Sequence, residues 1–175
     1  MANRPPRFPD FTYTGLNRYF LTICVNNRAP VFLDLDVGRE VATQFLLIAS
    51  AFGFEVIAYC VMPDHFHVLV AGEADDSQLK AFMHRYKQAT GYWWKQQQGR
   101  PSRLWQEGYF DRILRDDDSN EGVVRYILEN PVRASIVADP REYPLLGSKN
   151  YDVDMLLESA MLWTPPWKGG RRRRV

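Results

Sequence analysis

A chain of 175 residues with 46% hydrophobic and 25% charged residues has an ordinary globular composition, enough for one domain with a short appendage. The net charge of +1 predicts nothing about partners, and the apolar runs are too short and too interrupted to span a bilayer, which argues against a membrane protein. Cys24 and Cys60 lie in apolar, strand-like runs, with no signal peptide or disulfide-rich pattern around them; they read as buried, reduced thiols of a cytoplasmic protein.

In chain order, Met1 to Asp10 mixes prolines and arginines and reads as an irregular arm, extended to residue 16. The β-branched and aromatic run Arg18 to Val25 is a strand, ended by Asn26-Asn27-Arg28 and Pro30. Asp36 then opens a helix with apolar residues at Val37, Val41, Phe45 and Ile48, and Gly53 stops it. Phe54 to Val61 and His65 to Ala71 are two strands joined by a turn at Pro63-Asp64, which is short enough for an antiparallel hairpin. Asp75-Asp76-Ser77 is expected to cap a helix running to about Gln98, with Gly91 as the point where it bends or breaks.

Phe110 to Leu114 is the fourth strand. Asp118 with Glu121 has the form of a capping box for a third helix, which should end at Asn130 because Pro131 follows. Val132–Val137 and Pro140–Ser148 are connecting or short strand-like pieces. From Tyr151 the composition shifts to a tail with one short amphipathic helix and a basic tip, Arg171 to Arg174. The body of the protein is therefore 17–150, with a tail at 151–175. The expected fold is α+β, an antiparallel sheet with helices packed on it in a βαββαβα order.

Three features carry chemistry. His65 and His67 are two of only three histidines in the chain. At i and i+2 on a strand they point to one face, roughly 6–7 Å apart along the backbone, and two neutral imidazoles so placed can chelate a divalent cation. A bare His-x-His fits the polar face of a half-exposed strand equally well. The second feature is a basic block: from Lys80 to Arg115 there are eight Lys or Arg against two acids. Trp105, Tyr109, Phe110, Arg112 and Arg115 interleave rings that could stack on bases with cations for phosphates. A cationic edge strand is the plainer explanation, as a surface histidine is for His84. The third is Tyr126 and Asn130, at i and i+4 on one helix face, which alone reads as a half-buried tyrosine and a C-terminal cap.

Together, Pro63-Asp64-His65-Phe66-His67-Val68, Trp105-Gln106-x-x-Tyr109-Phe110-Asp111-Arg112-x-x-Arg115 and Tyr126-Ile127-Leu128-Glu129-Asn130-Pro131-Val132-Arg133-Ala134 resemble the REP-associated tyrosine transposases, IS200-like single-tyrosine members of the HUH endonuclease superfamily. The resemblance spans about Asn17 to Ser148. It implies the ferredoxin-like palm of those enzymes and an Mg²⁺- or Mn²⁺-dependent nicking and strand-transfer activity. His65, His67 and Asn130 would be the metal ligands and Tyr126 the nucleophile. Asn130 stands where IS200-type members carry a glutamine. The implied substrate is single-stranded DNA with REP- or BIME-like hairpins, with Lys80, Arg85, Lys87, Trp105, Arg112 and Arg115 as DNA contacts. A monomer with its site made in cis is favoured over a domain-swapped homodimer. The competing readings are a metal-dependent hydrolase that does not use Tyr126 and a non-catalytic single-strand binder.

Overall fold

The sheet is built where the sequence alternates. The computed structural model describes residues 12–98, 103–114 and 120–162. Its strands are β1 (Arg18–Cys24), β2 (Phe54–Met62), β3 (His65–Gly72), β4 (Phe110–Leu114) and β5 (Leu146–Gly147). They pair antiparallel in the order β4-β1-β3-β2-β5. Antiparallel pairs set opposite residues on one face. Thr22 pairs with His67, Cys60 with His67, and Phe20 with Arg112. One face of the sheet therefore carries His65, His67, Thr22, Phe20 and Arg112, and the other carries Tyr19, Leu21, Ile23, Phe66, Val68 and Val70.

The second set is the main core, closed by α1 (Leu35–Ala51) and α2 (Leu79–Gln98). Phe45 of α1 is fully buried at its centre. Its ring lies 5.1 Å from that of Phe66, 5.0 Å from Phe82 and 4.8 Å from Tyr86, each in edge contact. The histidine face is covered by α3 (Asn120–Leu128), which rests on β2 and β3 through Val124, Ile127 and Leu128. The short α4 (Asn130–Arg133) follows it, and α5 (Val153–Leu162) packs along α3 with Leu157 and Ala160 buried. No described helix is long and apolar enough to cross a membrane.

The βαββαβα order holds through α3, and the hairpin turn is the expected Pro63-Asp64, with Met62 opposite His65. Both cysteines are buried and free. Several local expectations shift for physical reasons. Asp34, not Asp36, caps α1, its carboxylate accepting the amides of Asp36 and Val37. Ser77 does not cap α2; its hydroxyl accepts from the Ala74 amide and donates to the Gly53 carbonyl, tying the end of β3 to the end of α1. Gly91 does not break α2, which runs continuously through it.

Pro131 does not end the helical path at Asn130. α3 stops at Leu128 and the chain turns into α4 with Pro131 in its first turn, where the missing N–H has no partner to lose. The end of the supposed N-terminal arm belongs to the fold. Tyr13 is buried and stacked on Tyr19 at 6.1 Å, and Thr14 bridges to Gln78. At that crossing a side chain on Gly72 would collide with the Gly15 carbonyl oxygen. Asp118 of the supposed capping box and the arginine tip lie outside the described residues.

Phe45→Ala should cost about 3–5 kcal/mol of unfolding free energy, because it opens a cavity among three rings that cannot collapse together. Denaturant titration followed by circular dichroism measures it, and a loss below 1 kcal/mol would show that this cluster is not the centre of the core.

Candidate active site

The hairpin aims both imidazoles across the sheet face. The His65 and His67 rings meet edge to face, with centroids 4.5 Å apart and Nε2 atoms 3.0 Å apart. Each Nδ1 is held from behind. Asp64, in the turn, accepts from His65 Nδ1 at 2.6 Å and is itself paired with Arg28 at 2.7 Å. Arg28 reaches it from the loop after β1, where Asn27 and Arg28 both adopt left-handed backbone, φ 56° and 55°. That conformation is uncommon for two successive side-chain-bearing residues and costs energy the surroundings must offset. Thr22 Oγ1 lies 2.9 Å from His67 Nδ1.

These partners govern the protons. A carboxylate only accepts, so His65 keeps its proton on Nδ1 and presents a lone pair at Nε2. A hydroxyl both donates and accepts, so Thr22 suits either tautomer of His67. With the His67 proton on Nε2, the two rings hydrogen-bond to each other. With it on Nδ1, two lone pairs face one point. Burial pushes the His67 pKa down to about 3, with the neighbouring His65 and the Arg28 charge adding to the effect. Burial also lowers that of His65, against the opposing pull of Asp64. Both rings are therefore neutral near pH 7, the form that ligates a metal.

Tyr126, on α3, comes to the same place. Its ring lies 5.5 Å from that of His67 and 5.7 Å from that of Phe20, and Phe20 in turn stacks on His67 at 5.4 Å. The residue is 37% exposed, so the ring is held while the site stays open to solvent. The Arg133 guanidinium stands over the ring, 5.0 Å from its centroid. Asn130 donates from Nδ2 to the Tyr126 carbonyl oxygen at 2.9 Å, so its amide braces the turn between α3 and α4.

The histidine pair has the spacing of two adjacent ligands on one divalent cation. Two neighbouring ligands at about 2.1 Å and a right angle lie about 3.0 Å apart, the separation found between the Nε2 atoms. Among the described residues no group of three or more His, Cys, Asp or Glu could hold a metal, so further donors would have to be an amide, water or substrate oxygen.

The expected DNA contacts divide. Lys80 and Arg85 are exposed on α2, and Arg112 is exposed on β4, on the tyrosine face. Lys87 donates to the carbonyls of Gln106 and Gly108, both at 2.6 Å, and acts as a strut. Trp105 corrects the expectation of a stacking platform. It is 5% exposed, its indole N–H donates to Thr90 Oγ1 at 2.7 Å, and it packs on Phe32 and Tyr86. Arg115 lies outside the described residues. A cleft of about 720 Å³ runs between α2 and residues 103–109, lined by Lys80, His84, Lys95 and Arg103 among others. Arg103 and Lys95 belong to the basic block read from the sequence but were not among its expected DNA contacts, and Phe20, Thr22, Arg28 and Arg133 were given no site role there.

A sheet face with two imidazoles and a helix-borne tyrosine defines a class, and comparison with known proteins agrees with it. Residues 14–130 match the family model described as transposase IS200 like. A Haemophilus influenzae protein described as a REP-associated tyrosine transposase is 31% identical over 169 residues, covering 91% of each chain. A solved REP-associated tyrosine transposase bound to a REP hairpin shares the fold at a TM-score of 0.64, with 17% identity over 85% of this chain and 93% of that one. The chain belongs to the IS200-like transposases, and within them to the REP-associated tyrosine transposases. It is an enzyme of a DNA-cutting and DNA-joining class.

Two substitutions test this geometry. Trp105→Phe should lower stability by about 1 kcal/mol through the lost indole hydrogen bond and leave single-strand affinity within about twofold; a large loss of affinity at unchanged stability would restore a base-stacking role. Asp64→Ala frees His65 Nδ1 and should weaken divalent-cation affinity about 10- to 100-fold, read by titration calorimetry with Mn²⁺.

Proposed function

We propose that this protein nicks and rejoins hairpin-bearing single-stranded DNA through a covalent 5′-phosphotyrosine at Tyr126, with Mg²⁺ or Mn²⁺ held by His65, His67 and Asn130. The observation that carries this reading is the contact between the Tyr126 and His67 rings within one chain. A divalent ion there would supply Lewis-acid stabilisation of charge on the scissile phosphate. The protein's own residues do the rest. Phe20 and His67 hold the tyrosine ring, and Asn130 fixes the turn that carries it.

The Tyr126 hydroxyl attacks phosphorus in line with the 3′-oxygen. The new P–O bond joins the 5′-phosphate to the tyrosine and the P–O3′ bond breaks. The phenolic proton passes to water and the departing 3′-oxygen takes one from water. One phosphoester replaces another, so a free 3′-OH can reverse the step and join a second strand.

The cleft beside α2 supports a duplex or hairpin contact away from the chemistry. Phe66 packs under α2 while His67 faces Tyr126, so the cleft and the tyrosine belong to opposite faces of the sheet. A hairpin held by Lys80, Lys95 and Arg103 would then deliver its single-stranded flank around the β4 edge, past Arg112. Phosphate contacts of this kind position DNA without reading its sequence. The REP hairpin of the solved relative supports hairpins of that type as the substrate. A site assembled from one chain supports a monomer acting in cis, and DNA as substrate supports action in the bacterial cytoplasm. A hydrolase that bypasses Tyr126 finds less support, because no acidic third ligand joins the histidines among the described residues.

Tyr126→Phe should abolish both nicking and any denaturant-resistant protein–DNA adduct on labelled hairpin oligonucleotides with Mg²⁺ or Mn²⁺, while binding persists. Cleavage retained by the phenylalanine variant would point to the hydrolase, and an inert wild type with either metal to a binder.

A further inference from the structure

Arg133 places a cation against the proposed nucleophile, and it has no role in the reading above. Its guanidinium sits 5.0 Å from the Tyr126 ring centroid and is exposed. Three other arginines are paired with carboxylates: Arg125 with Glu129 at 2.8 Å, Arg141 with Asp139 and Asp154, and Arg28 with Asp64. Among the described residues no carboxylate pairs with Arg133. Its backbone is well fixed. The Arg133 amide donates to Glu129 O and that of Ala134 to Asn130 O, both at 2.9 Å, while Pro131 is buried. An unpaired guanidinium on a braced turn, stacked on the ring that must attack a phosphodiester, is a phosphate receptor in waiting.

Resting on Tyr126 as nucleophile, we propose that Arg133 is a catalytic residue that grips the scissile phosphate. Its forked N–H groups would bind the non-bridging oxygens bidentately, a geometry that lysine does not reproduce. In the step already written, phosphorus passes through a five-coordinate state that carries more negative charge than the diester. The guanidinium strengthens its hold as that charge develops, and gives up no proton. The stacking contact keeps it beside the tyrosine ring that must meet the phosphate.

The test compares wild type, Arg133→Met and Arg133→Lys in single-turnover adduct formation on a hairpin-bearing single strand with Mn²⁺. Each is assayed on the natural phosphodiester and on a methylphosphonate at the position mapped by wild-type nicking. The methylphosphonate removes the charge that Arg133 is proposed to bind. On the diester, Arg133→Met should be about 10- to 100-fold slower, as expected for a charge-assisted pair, with Arg133→Lys in between. On the methylphosphonate the ratio of wild type to Arg133→Met should shrink to within about threefold. Equal rates on the diester overturn the proposal, and so does the same ratio on both substrates, which would make Arg133 a packing partner of the ring only. Should Arg133→Met fold poorly by thermal melting, the lysine variant carries the same comparison. A wild type that forms no adduct overturns the reading of Tyr126 and Arg133 with it, whereas an active wild type with an equally active Arg133→Met overturns Arg133 alone.

Discussion

The pairing of β1 with β3 is the constraint on which the site depends. It sets Thr22 beside His67 and Ile23 beside Phe66, so alternate residues of one hairpin strand serve two different layers. Phe66 enters the aromatic cluster around Phe45 while its two neighbours turn to the other side. Burial of the first locks the orientation of the second, because strand side chains alternate without exception over a regular ladder. The histidines are thus positioned by the core on the far side of the sheet.

The tyrosine depends on the same ladder by a longer route. Phe20, two residues before Thr22, meets both the His67 and Tyr126 rings and links the strand pair to α3. α3 adds its apolar face to β2 and β3, and α5 closes over it. Arg18 ties the strand to the helix start through Asn120 at 2.7 Å. Strand and helix are therefore held at both ends of the contact, with the tyrosine between.

How much of this was legible depended on sequence distance. The hairpin was plain, because Pro63-Asp64 separates two alternating runs and turn chemistry acts over four residues. So were β4 and the pairing of Tyr126 with Asn130 on one turn. The approach of Thr22 and Phe20 to His67 was not, since a register across 45 residues is chosen by tertiary packing. Trp105 misled for a related reason. An aromatic in a strip that also carries arginines looks like a surface ring, but Thr90, fifteen residues earlier on α2, supplies the partner that lets its indole N–H be buried. Ser77 and Asp34 show the same limit at smaller scale: which polar side chain caps a helix is decided by what else each can bond.

The two-residue turn between Met62 and His65 also bears on how this chain can vary in length. Either turn residue could change and leave the alternation of β3 intact. Inserting or deleting a single residue there would bring Phe66 to the open face and press an imidazole into the aromatic cluster, unless a bulge absorbed the change. The two histidines would survive in the sequence and vanish from the site. Spacing at this turn is therefore under a stricter rule than identity, and a variant that keeps every functional residue but alters that count should be judged a broken enzyme.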